Sequence, residues 1–461
     1  MSDQQGRLSR QDHGRPVAPV RMVHLGLGNF FRAHQAWFTE HSQDAADWGY
    51  AAFTGRSAGI ADDLAAQDGI YTLLVREPDG DRPEVVSSLS EVHPGDDVAA
   101  LRSYFASPDL ALVTSTVTEA GYRRATDGGL DLADPDVSAD IEALRADPES
   151  DSVSTTPGRL VAGLLARRAA NAGPIALVPC DNVPDNGAMV ARVVGDLATE
   201  VDPTLLDWIE ANVTVVTTMV DRITPRGTDE DRDTVGELLQ VDDPQVVVTE
   251  PFAEWVLAGE FPRGRPEWPG AQFVDDVSKH EQRKLWLLNG SHSLMAYGAS
   301  ILGHETVSSA IGDDTVRGWV EQWWDVAAAH LEVDADEVVA YRQALVERFS
   351  NPRIRHLLAQ IAADGSQKVP IRFGPALAAE VAAGRSPVGA TRPVAAWIAH
   401  LHGHGAPVTD AQQDRVAEVA AAEPAEAVRT VLDWMGISDP AEALVEQVLS
   451  QVAEFEAAGS S

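Results

Sequence analysis

Short apolar and β-branched runs, separated by segments with helical spacing, make up the first part of the chain. Runs of this kind are typical of strands buried on both faces, as in a parallel sheet. The expected strands lie at 20–28, 49–53, 71–75, 110–117, 175–179 and 213–217, with helices at 29–43 and 158–171. Strands that alternate with helices predict an α/β domain.

From about residue 278 onward, the pattern changes to alanine-, glutamate- and leucine-rich segments with helical spacing. Helices are expected at 282–302, 314–331, 335–349, 353–363, 392–402, 409–421 and 440–457. A chain of 461 residues is also too long for one ordinary hydrophobic core. We therefore expect a mobile tail at 1–19, an α/β domain at 20–278 and a mostly α-helical domain at 279–461.

The formal net charge of −36 argues against a nucleic-acid partner, because contacts to phosphates require a basic surface. We interpret the acidic residues as a solvating surface, with a partner-binding face as the alternative. No apolar run approaches the roughly 18 to 20 residues that cross a bilayer, and the polar N-terminus lacks the core of a secretion signal. The sequence therefore predicts a cytoplasmic protein without a membrane partner.

Cysteine and lysine are both rare in this chain. Cys180 is the only cysteine, so an intrachain disulfide and a cysteine-based zinc site are excluded. Lysine occurs only at Lys279, Lys284 and Lys368, and arginine supplies the other basic side chains. A GC-rich genome or adaptation to salt would each produce this bias.

A glycine turn follows the first expected strand. Gly26-Leu-Gly28 stands where the dinucleotide-binding fingerprint belongs, and its glycines would let the backbone approach a pyrophosphate. The third glycine of that fingerprint is absent, because Phe31 occupies its place. We interpret the turn as a nucleotide site, with a purely structural turn as the alternative.

The end of the second expected strand bears on the choice of nucleotide. An acidic residue there would bind the ribose hydroxyls of NAD, but the sequence has Thr54-Gly-Arg56-Ser57. Arg56 and Ser57 could accommodate the 2′-phosphate of NADP, or they could form an exposed turn. The residues therefore leave NAD and NADP open.

Four polar residues lie close together at the start of the second domain. On an α-helix, which advances about 100° per residue, Asn289 falls about 140°, His292 about 80° and Glu281 about 60° from Lys284. One broad helix face would then present an acid, an amine, an amide and an imidazole. An ordinary amphipathic helix with a polar stripe is the alternative.

Different architectures for alcohol oxidation do not fit the sequence. A Tyr-x-x-x-Lys dyad needs tyrosine four residues before a lysine, where this chain has Asp275, His280 and Asp364. It also lacks a His-Glu-x-x-His helix and a clustered set of metal ligands. A lysine is therefore the expected base, and burial would have to lower its pKa from about 10.4 toward roughly 7 to 8.

Several further segments occur in an order that a known family shows. They are His24-Leu-Gly-Leu-Gly-Asn-Phe-Phe-Arg-Ala-His34, Ala65-Ala-Gln-Asp-Gly-Ile-Tyr-Thr72, Cys180-Asp-Asn182, Val220-Asp-Arg-Ile-Thr-Pro225, Lys284 to His292, Asn351-Pro352 and Asp364-Gly-Ser-Gln-Lys-Val-Pro370. On these segments, the chain from about residue 20 to about residue 450 resembles the polyol-specific long-chain dehydrogenases. That family includes mannitol 2-dehydrogenase and the fructuronate reductases.

The resemblance implies a Rossmann-type doubly wound first domain, a helical second domain and an active site in the cleft between them. It also implies residue roles. Lys284 would be the general base, and the amides of Asn182 and Asn289 would stabilise the oxyanion. His292 would orient the substrate, and Glu281 would relay the proton to solvent.

The expected cofactor is NAD, with NADP not excluded, and the expected contacts follow from the turn and the resemblance. Cofactor contacts are expected at Gly26, Gly28, Asn29, Phe30, Arg56 and Thr116, and substrate contacts at Asp221, Lys368 and Arg372. Two departures from the family matter. Ala120 replaces a lysine that many members carry, and residues 54–57 lack the acidic loop that would indicate NAD.

The expected function is a metal-independent, nicotinamide-dependent interconversion of a polyol and a ketose, with D-mannitol and D-fructose as the first pair. The first alternative is reduction of fructuronate or tagaturonate to the aldonate, where a carboxylate would need a cation such as Arg372. A further candidate reaction is oxidation of mannitol 1-phosphate, and a nucleotide-binding regulator is the non-enzymatic alternative. The resemblance favours a monomer.

Overall fold

The computed structural model describes residues 6–55 and 59–460. The chain divides into two compact units, Met1–Ser278 and Lys279–Ser461. The strands of the described residues are β1 (Gly6–Arg7), β2 (Val20–Leu25), β3 (Gly49–Phe53), β4 (Tyr71–Glu77), β5 (Gly80–Val86), β6 (Leu89–His93), β7 (Leu112–Ser115), β8 (Ile175–Pro179), β9 (Val213–Val215), β10 (Thr217–Asp221), β11 (Val241–Asp242), β12 (Val247–Thr249), β13 (Glu254–Ala258) and β14 (Gln272–Phe273).

The central sheet of the first unit is parallel throughout, in the order β6-β3-β2-β7-β8-β9. In chain order these are the third, second, first, fourth, fifth and sixth strands, which is the strand order of the Rossmann fold. Side chains of β2 pack into apolar clusters on both faces, with Val23 and Leu25 in one cluster and Met22 in the other. The expected doubly wound α/β domain is confirmed.

Two strands differ from the sequence expectation. The strand expected at 71–75 forms, but as β4 it joins a separate sheet of order β12-β4-β5. The third strand of the central sheet is instead β6, with the sequence Leu-Ser-Glu-Val-His. Its polar composition gave no strand signal, and it is a strand because it pairs with β3 along one edge.

The first unit also contains helices. They are α1 (Arg10–His13), α2 (Asn29–Ala33), α3 (Gln35–Glu40), α4 (Gly59–Ala65), α5 (Val98–Ala106), α6 (Pro135–Ala146), α7 (Thr156–Ala170), α8 (Asn186–Val201), α9 (Pro203–Asn212) and α10 (Asp229–Leu239). The single helix expected at 29–43 is wrong, because α2 and α3 are separated at His34. The ring of His34 turns inward there and bonds the carbonyl of Glu254 at 2.9 Å.

The expected mobile tail is packed against the first unit from Gly6 onward. β1 pairs with β11, and the Leu8 side chain is buried. Arg10 donates hydrogen bonds to the carbonyl oxygens of Asp68 (2.9 Å) and Leu89 (2.6 Å). Backbone acceptors far along the chain thus bind this polar segment.

The second unit is built from helices. They are α11 (Ser278–Arg283), α12 (Gly290–Leu294), α13 (Val307–Ile311), α14 (Asp314–Ala328), α15 (Ala335–Phe349), α16 (Leu358–Ile361), α17 (Gly365–Ala382), α18 (Val388–Leu401), α19 (Gln413–Ala421), α20 (Pro424–Trp434) and α21 (Glu442–Gly459), with π-helical turns at Lys284–Asn289 and Met295–Ala299. Its core includes the buried Trp323, Trp324 and Trp397. The helical class of this unit is confirmed.

Helices α17 and α20 were not expected from the sequence. Pro370 and Pro375 lie inside α17, and proline normally interrupts a helix because it lacks the N–H donor. Conversely, the helix expected at 353–363 is reduced to the short α16. Among the described residues, no helix is long and apolar enough to cross a membrane.

Candidate active site

The glycine turn after β2 needs glycine at its first position. Gly26 has φ of +103°, and a Cβ there would lie 2.3 Å from the carbonyl oxygen of Thr116. The N–H groups of Gly26 and Leu27 both donate to the carbonyl of Phe53 at the end of β3. The turn is therefore held against the ends of both neighbouring strands, at the carboxyl edge of the sheet.

Gly28 has a different reason to be glycine. Its φ is −130°, which any residue adopts, and the nearest protein atom to a Cβ would be the oxygen of Gly26 at 3.6 Å. The protein itself therefore has room for a side chain at this position. A missing side chain leaves the face of the turn open, and this fits the close approach of a nucleotide pyrophosphate.

His24 lies beneath the turn, and its importance was not recognised from the sequence. Its Nδ1 lies 2.8 Å from the hydroxyl of Thr114, and its Nε2 lies 3.0 Å from that of Thr116. Thr116 in turn donates to the carbonyl of Gly26 at 2.9 Å. Nε2 must then carry the proton that it donates to Thr116. Burial lowers the pKa of His24 to about 3, so the ring is neutral.

Phe31 explains the missing third glycine. Its ring stacks on that of His24, with the centroids 3.5 Å apart and the planes 7° from parallel. In the common fingerprint, the third glycine lets the helix pack close to the sheet. Here a buried aromatic stack fills that position. This pairing was not visible from spacing, because His24 and Phe31 belong to different elements.

The remaining cofactor contacts expected from the sequence have different surroundings. Thr116 lies at the turn itself, as its bond to Gly26 places it there. The amide oxygen of Asn29 accepts a hydrogen bond from Arg32 at 2.7 Å. The ring of Phe30 stacks on that of His34, with the centroids 5.1 Å apart. Arg56 lies outside the described residues.

Asn182 follows β8 at the same edge of the sheet, and its side chain is exposed. The residue before it, Asp181, is buried and was not singled out from the sequence. Asp181 accepts hydrogen bonds from the hydroxyl of Tyr122 (2.5 Å), the hydroxyl of Ser115 (3.1 Å) and the backbone N–H of Val117 (2.5 Å). This network fixes the backbone that leads into Asn182 and joins it to the end of β7.

Burial dominates the ionisation of Asp181. Removal from water raises the pKa of this carboxyl to about 6, although the bonds from Tyr122, Val117 and Ser115 act in the opposite direction.

Asp221, one of the expected substrate contacts, is also buried. It ends β10 and is paired in register with Glu254 of β13.

In the second unit, Lys284 begins a π-helical turn that runs to Asn289. The α-helical angles expected between Lys284, Asn289 and His292 are therefore wrong, because a π-helix hydrogen-bonds from i to i+5 and turns more widely. π-Helical turns are rare and are frequent at functional sites. Glu281 lies in α11, just before this turn, and both Glu281 and Lys284 are partly buried.

Two tryptophans of α14 hold the π-helical turn. The indole N–H of Trp323 donates to the carbonyl of Trp286 at 2.8 Å, and that of Trp324 donates to the carbonyl of Leu287 at 3.0 Å. Gly290 permits this approach, because a Cβ there would lie 2.6 Å from the indole nitrogen of Trp323. The indoles thus bind carbonyl oxygens in the widened part of the helix.

His292 follows the π-helical turn and is buried. Its ring centroid lies 4.9 Å from those of Phe349 and His356. Its Nε2 is sealed from solvent and has no hydrogen-bond partner within the described part of the chain. Burial, followed by the neighbouring charges of His356, Arg348, Arg372 and Lys284, lowers the pKa of His292 well below its usual value. The ring is therefore neutral.

Asn289 and Arg372 meet at the end of the same turn. Arg372 of α17 donates from Nη1 to the carbonyl oxygen of Asn289 at 3.1 Å and to the hydroxyl of Ser293 at 2.7 Å. The side-chain amide of Asn289 makes no hydrogen bond with any described residue. This amide therefore has its donors and acceptor available to a ligand.

Lys368 is engaged with the backbone. Its ammonium donates to the carbonyl oxygens of Ala363 at 2.6 Å and Ile361 at 3.3 Å, at the end of α16. Burial, followed by the charge of Arg372, lowers its pKa. Of the expected substrate contacts in this unit, Lys368 thus supports the local backbone, whereas Arg372 contacts the segment that carries Asn289.

A Rossmann sheet with a glycine turn open at Gly28 defines a dinucleotide-binding protein, and the amine, amide and imidazole on the second unit are groups suited to alcohol chemistry. Two family models match this chain: the mannitol dehydrogenase Rossmann domain over residues 20–270 and the mannitol dehydrogenase C-terminal domain over residues 276–456. The chain belongs to the mannitol dehydrogenase family.

Three similar proteins illustrate the range of this family. D-mannonate oxidoreductase of Escherichia coli (strain K12) is 38% identical over 374 residues, which is 78% of this chain and 75% of that protein. A crystal structure of D-sorbitol dehydrogenase in substrate-free form has a TM-score of 0.87 at 28% identity, covering 96% of this chain and 95% of that one. Pseudomonas fluorescens mannitol 2-dehydrogenase, in a ternary complex with NAD and D-mannitol, has a TM-score of 0.79 at 30% identity, covering 95% and 92%.

These matches confirm the resemblance inferred from the sequence. The chain is an oxidoreductase of the mannitol dehydrogenase family with a Rossmann domain for a nicotinamide cofactor. The named relatives act on different polyols and on a polyol acid, so family membership leaves the substrate of this chain undecided.

Proposed function

We propose that this protein is an NAD-dependent dehydrogenase that interconverts a polyol and a ketose, with Lys284 as the general base. The observation that supports this best is the composition of one helical segment. It carries an amine at Lys284, an amide without a partner among the described residues at Asn289, and a buried neutral imidazole at His292. These groups can accept the hydroxyl proton, donate a hydrogen bond to a developing oxyanion and orient an alcohol.

NAD, when bound, accepts the hydride that leaves the carbinol carbon. Gly26, Gly28 and Thr116 would hold the nucleotide at the carboxyl edge of the sheet. Arg56 is the residue proposed to decide between NAD and NADP.

Lys284 would take the hydroxyl proton as the C–H bond breaks, so that the alcohol becomes a ketone and the amine becomes an ammonium. In the reverse direction the ammonium would return that proton to the ketose. Negative charge on the oxygen would be stabilised by amide donors from Asn289 and Asn182, an effect on the order of 3 kcal/mol per donor. Glu281 would pass the proton to solvent.

His292 would orient the substrate rather than exchange protons with it. Because its pKa lies well below the usual value, the ring stays neutral and offers one donor and one acceptor. Its buried Nε2 has no partner among the described residues and would be satisfied by a substrate hydroxyl. Loss of such a bond would leave a buried polar atom unpaired, which selects for hydroxylated substrates.

We further propose that the reaction needs no metal ion. The lysine supplies the base and the two amides supply the electrostatic stabilisation that a metal would otherwise provide. Within the described residues, no three histidine, cysteine, aspartate or glutamate side chains are grouped as metal ligands. Undiminished turnover after prolonged dialysis against EDTA would support this proposal.

Two substrate classes are favoured by the relatives. D-mannitol is the first candidate, because the Pseudomonas fluorescens relative was solved with NAD and D-mannitol. D-mannonate is the second, because the E. coli relative named for it is 38% identical to this chain. Oxidation of mannitol 1-phosphate and a non-catalytic regulatory role are less favoured, and the same experiment tests both.

The test is a spectrophotometric screen at 340 nm with D-mannitol, D-arabinitol, D-sorbitol, D-mannonate and mannitol 1-phosphate, each with NAD and NADP. We expect turnover with at least one polyol or aldonate. Absence of turnover with every substrate, together with retained nucleotide binding, would contradict the proposal and favour the regulatory role. We also propose that the protein is cytoplasmic and monomeric. Light scattering would test the monomeric state against the chain mass of 49.3 kDa.

A further inference from the structure

Asn182 lies in a very tight turn between β8 and α8. The N–H of Val183 donates to the carbonyl of Asp181 at 2.8 Å, so this hydrogen bond spans a single residue. We call residues 181–183 the amide turn. The side chain of Asn182 is exposed, whereas those of Asp181 and Asn186 are buried. The contacts of these two buried side chains therefore fix the backbone from which the Asn182 amide projects.

The side chain of Asp181 anchors the amide turn to the end of β7. Its Oδ1 accepts a hydrogen bond from the N–H of Val117 at 2.5 Å, and its Oδ2 accepts one from the hydroxyl of Ser115 at 3.1 Å. These two residues flank Thr116, whose own hydroxyl donates to the carbonyl of Gly26 in the glycine turn. One carboxylate thus ties the amide turn to the residue that contacts the glycine turn.

The side chain of Asn186 anchors the amide turn on the other side, to β10. Its Nδ2 donates to the carbonyl oxygens of Asp181 at 2.9 Å and Thr218 at 2.8 Å, and its Oδ1 accepts the N–H of Thr218 at 2.9 Å. Gly187 permits this close approach, because a Cβ there would meet the side chain of Thr217. The amide turn is therefore bonded to the strands on both sides of it.

The glycine turn, in contrast, is held by bonds that do not involve Asp181. Its first two N–H groups donate to the carbonyl of Phe53 at 3.0 and 2.9 Å, and the N–H of Thr116 donates to the carbonyl of Leu25 at 2.9 Å. Removing the Asp181 carboxylate should therefore release the amide turn and leave the glycine turn in place. This asymmetry separates an effect on the reaction from an effect on nucleotide binding.

We propose that Asp181 and Asn186 are positioning residues, which hold the Asn182 amide in register with the glycine turn so that it bonds the reacting oxygen while the nicotinamide exchanges the hydride. An amide donor stabilises an oxyanion only if it is already in place, and a displacement of about 1 Å can cost about 100-fold in rate. Neither residue touches substrate or nucleotide, and each acts through Asn182. This inference rests on the proposed dehydrogenase function.

The test is a double-mutant cycle on Asp181→Ala and Asn182→Ala. It measures reduction of D-fructose and D-fructuronate, the keto forms of D-mannitol and D-mannonate, with NADH at 340 nm. Asn182→Ala should lower kcat by about 100-fold or more, because an oxyanion donor is lost. Asp181→Ala should lower kcat by about 30-fold and leave the dissociation constant of NADH within about 2-fold of the wild type. The double variant should match Asn182→Ala within about 2-fold, because no amide is left to position.

A conservative variant and a control complete the test. Asp181→Asn should return kcat to within about 3-fold of the wild type, because its amide oxygen can accept from Val117 and its amide nitrogen can donate to the hydroxyl of Ser115. Asp207→Ala is the control, since Asp207 is an exposed aspartate of α9 that bonds no described residue. It should match the wild type in kcat and in NADH binding. If Asp181→Ala does not fold, Asn186→Ala takes its place in the cycle with the same expected result.

Three results would overturn the inference and leave the proposed function standing. The first is a loss of about 3,000-fold in the double variant, because multiplied losses would mean that Asp181 acts independently of Asn182. The second is weakened NADH binding in Asp181→Ala, which would give this residue a general structural role. The third is an unchanged kcat in Asp181→Ala. If the wild type reduces neither D-fructose nor D-fructuronate, the proposed function fails and this inference fails with it.

Discussion

Lys284 and Lys279 lie five residues apart in a chain with only three lysines. Lys279 is exposed and Lys284 is partly buried at the start of the π-helical turn. This contrast offers a matched pair of variants. Lys284→Ala should lower kcat by about 100- to 10,000-fold while leaving NADH binding intact, because the base but not the nucleotide site is removed.

Lys279→Ala should behave as the wild type in both measurements. kcat is measured at 340 nm, and NADH binding by the change in nucleotide fluorescence. Near-normal turnover of Lys284→Ala would remove this residue from the mechanism. Loss of NADH binding in the same variant would instead show that Lys284 supports the fold.

His24 predicts a dependence of stability on pH. Its pKa is about 3 in the folded protein because it is buried, against 6.5 when exposed. As the pH falls below 6.5, the unfolded chain takes up a proton that the folded chain does not. Stability is therefore full above pH 6.5 and declines by up to about 1.4 kcal/mol per pH unit toward pH 3.

The conservative variant His24→Gln isolates this effect, because glutamine does not titrate. We expect the free energy of unfolding of the first unit to fall less steeply between pH 6.5 and 4.5 in the variant than in the wild type. Urea unfolding at each pH measures both. Parallel pH profiles would show that His24 is not protonated differently in the two states.

The two glycines of the turn predict opposite consequences at the scale of the element. Gly26→Ala should destabilise the first unit, because its φ is positive and the Cβ would meet the Thr116 carbonyl. Gly28→Ala should fold normally, because the protein has room for the methyl group, but it should weaken NADH binding by intruding on the nucleotide. Thermal unfolding and NADH titration distinguish these outcomes. Full NADH affinity in Gly28→Ala would place the nucleotide elsewhere.

Gly290 predicts a second effect at this scale. An added methyl group would push against the Trp323 indole, which holds the π-helical turn through the carbonyl of Trp286. Gly290→Ala should therefore cost about 1 to 3 kcal/mol of stability and lower kcat by displacing the helix that carries Lys284.

Gly318→Ala provides the matched control in α14, since no atom lies within 4 Å of its Cβ position apart from adjacent residues and the surrounding helix backbone. This change should be neutral or should stabilise by up to about 1 kcal/mol. Differential scanning calorimetry and kcat measure both variants. An unchanged kcat in a destabilised Gly290→Ala would mean that the π-helical turn does not position the reactive groups.

The whole molecule carries a large excess of negative charge, with 71 acidic against 35 basic residues. Repulsion among these charges opposes the compact state and is screened by salt over distances near roughly 8 Å at about 0.15 M. The midpoint of thermal unfolding should therefore rise as NaCl increases from about 0.05 to about 1 M. A falling midpoint would show that attractive surface ion pairs outweigh the repulsion.

The sequence by itself determined the class of each unit, the glycine turn, the family and the candidate residues Lys284, Asn289 and His292. These features are local, because periodicity, a strand followed by Gly26-Leu-Gly28, and a nine-residue segment can each be read without knowing what they contact. The roles assigned to the candidate residues stay predictions until the variants are measured.

Only the tertiary structure decided which strand completes the central sheet, and that Lys284–Asn289 is π-helical rather than α-helical. It also decided that Asp181 anchors the end of β8 and that Arg372 contacts the segment that carries Asn289. Each of these depends on partners far away in the chain: the indole of Trp323 lies 37 positions from the carbonyl it binds. Strand pairing and the satisfaction of buried polar groups are set by such distant partners, and no local pattern encodes them.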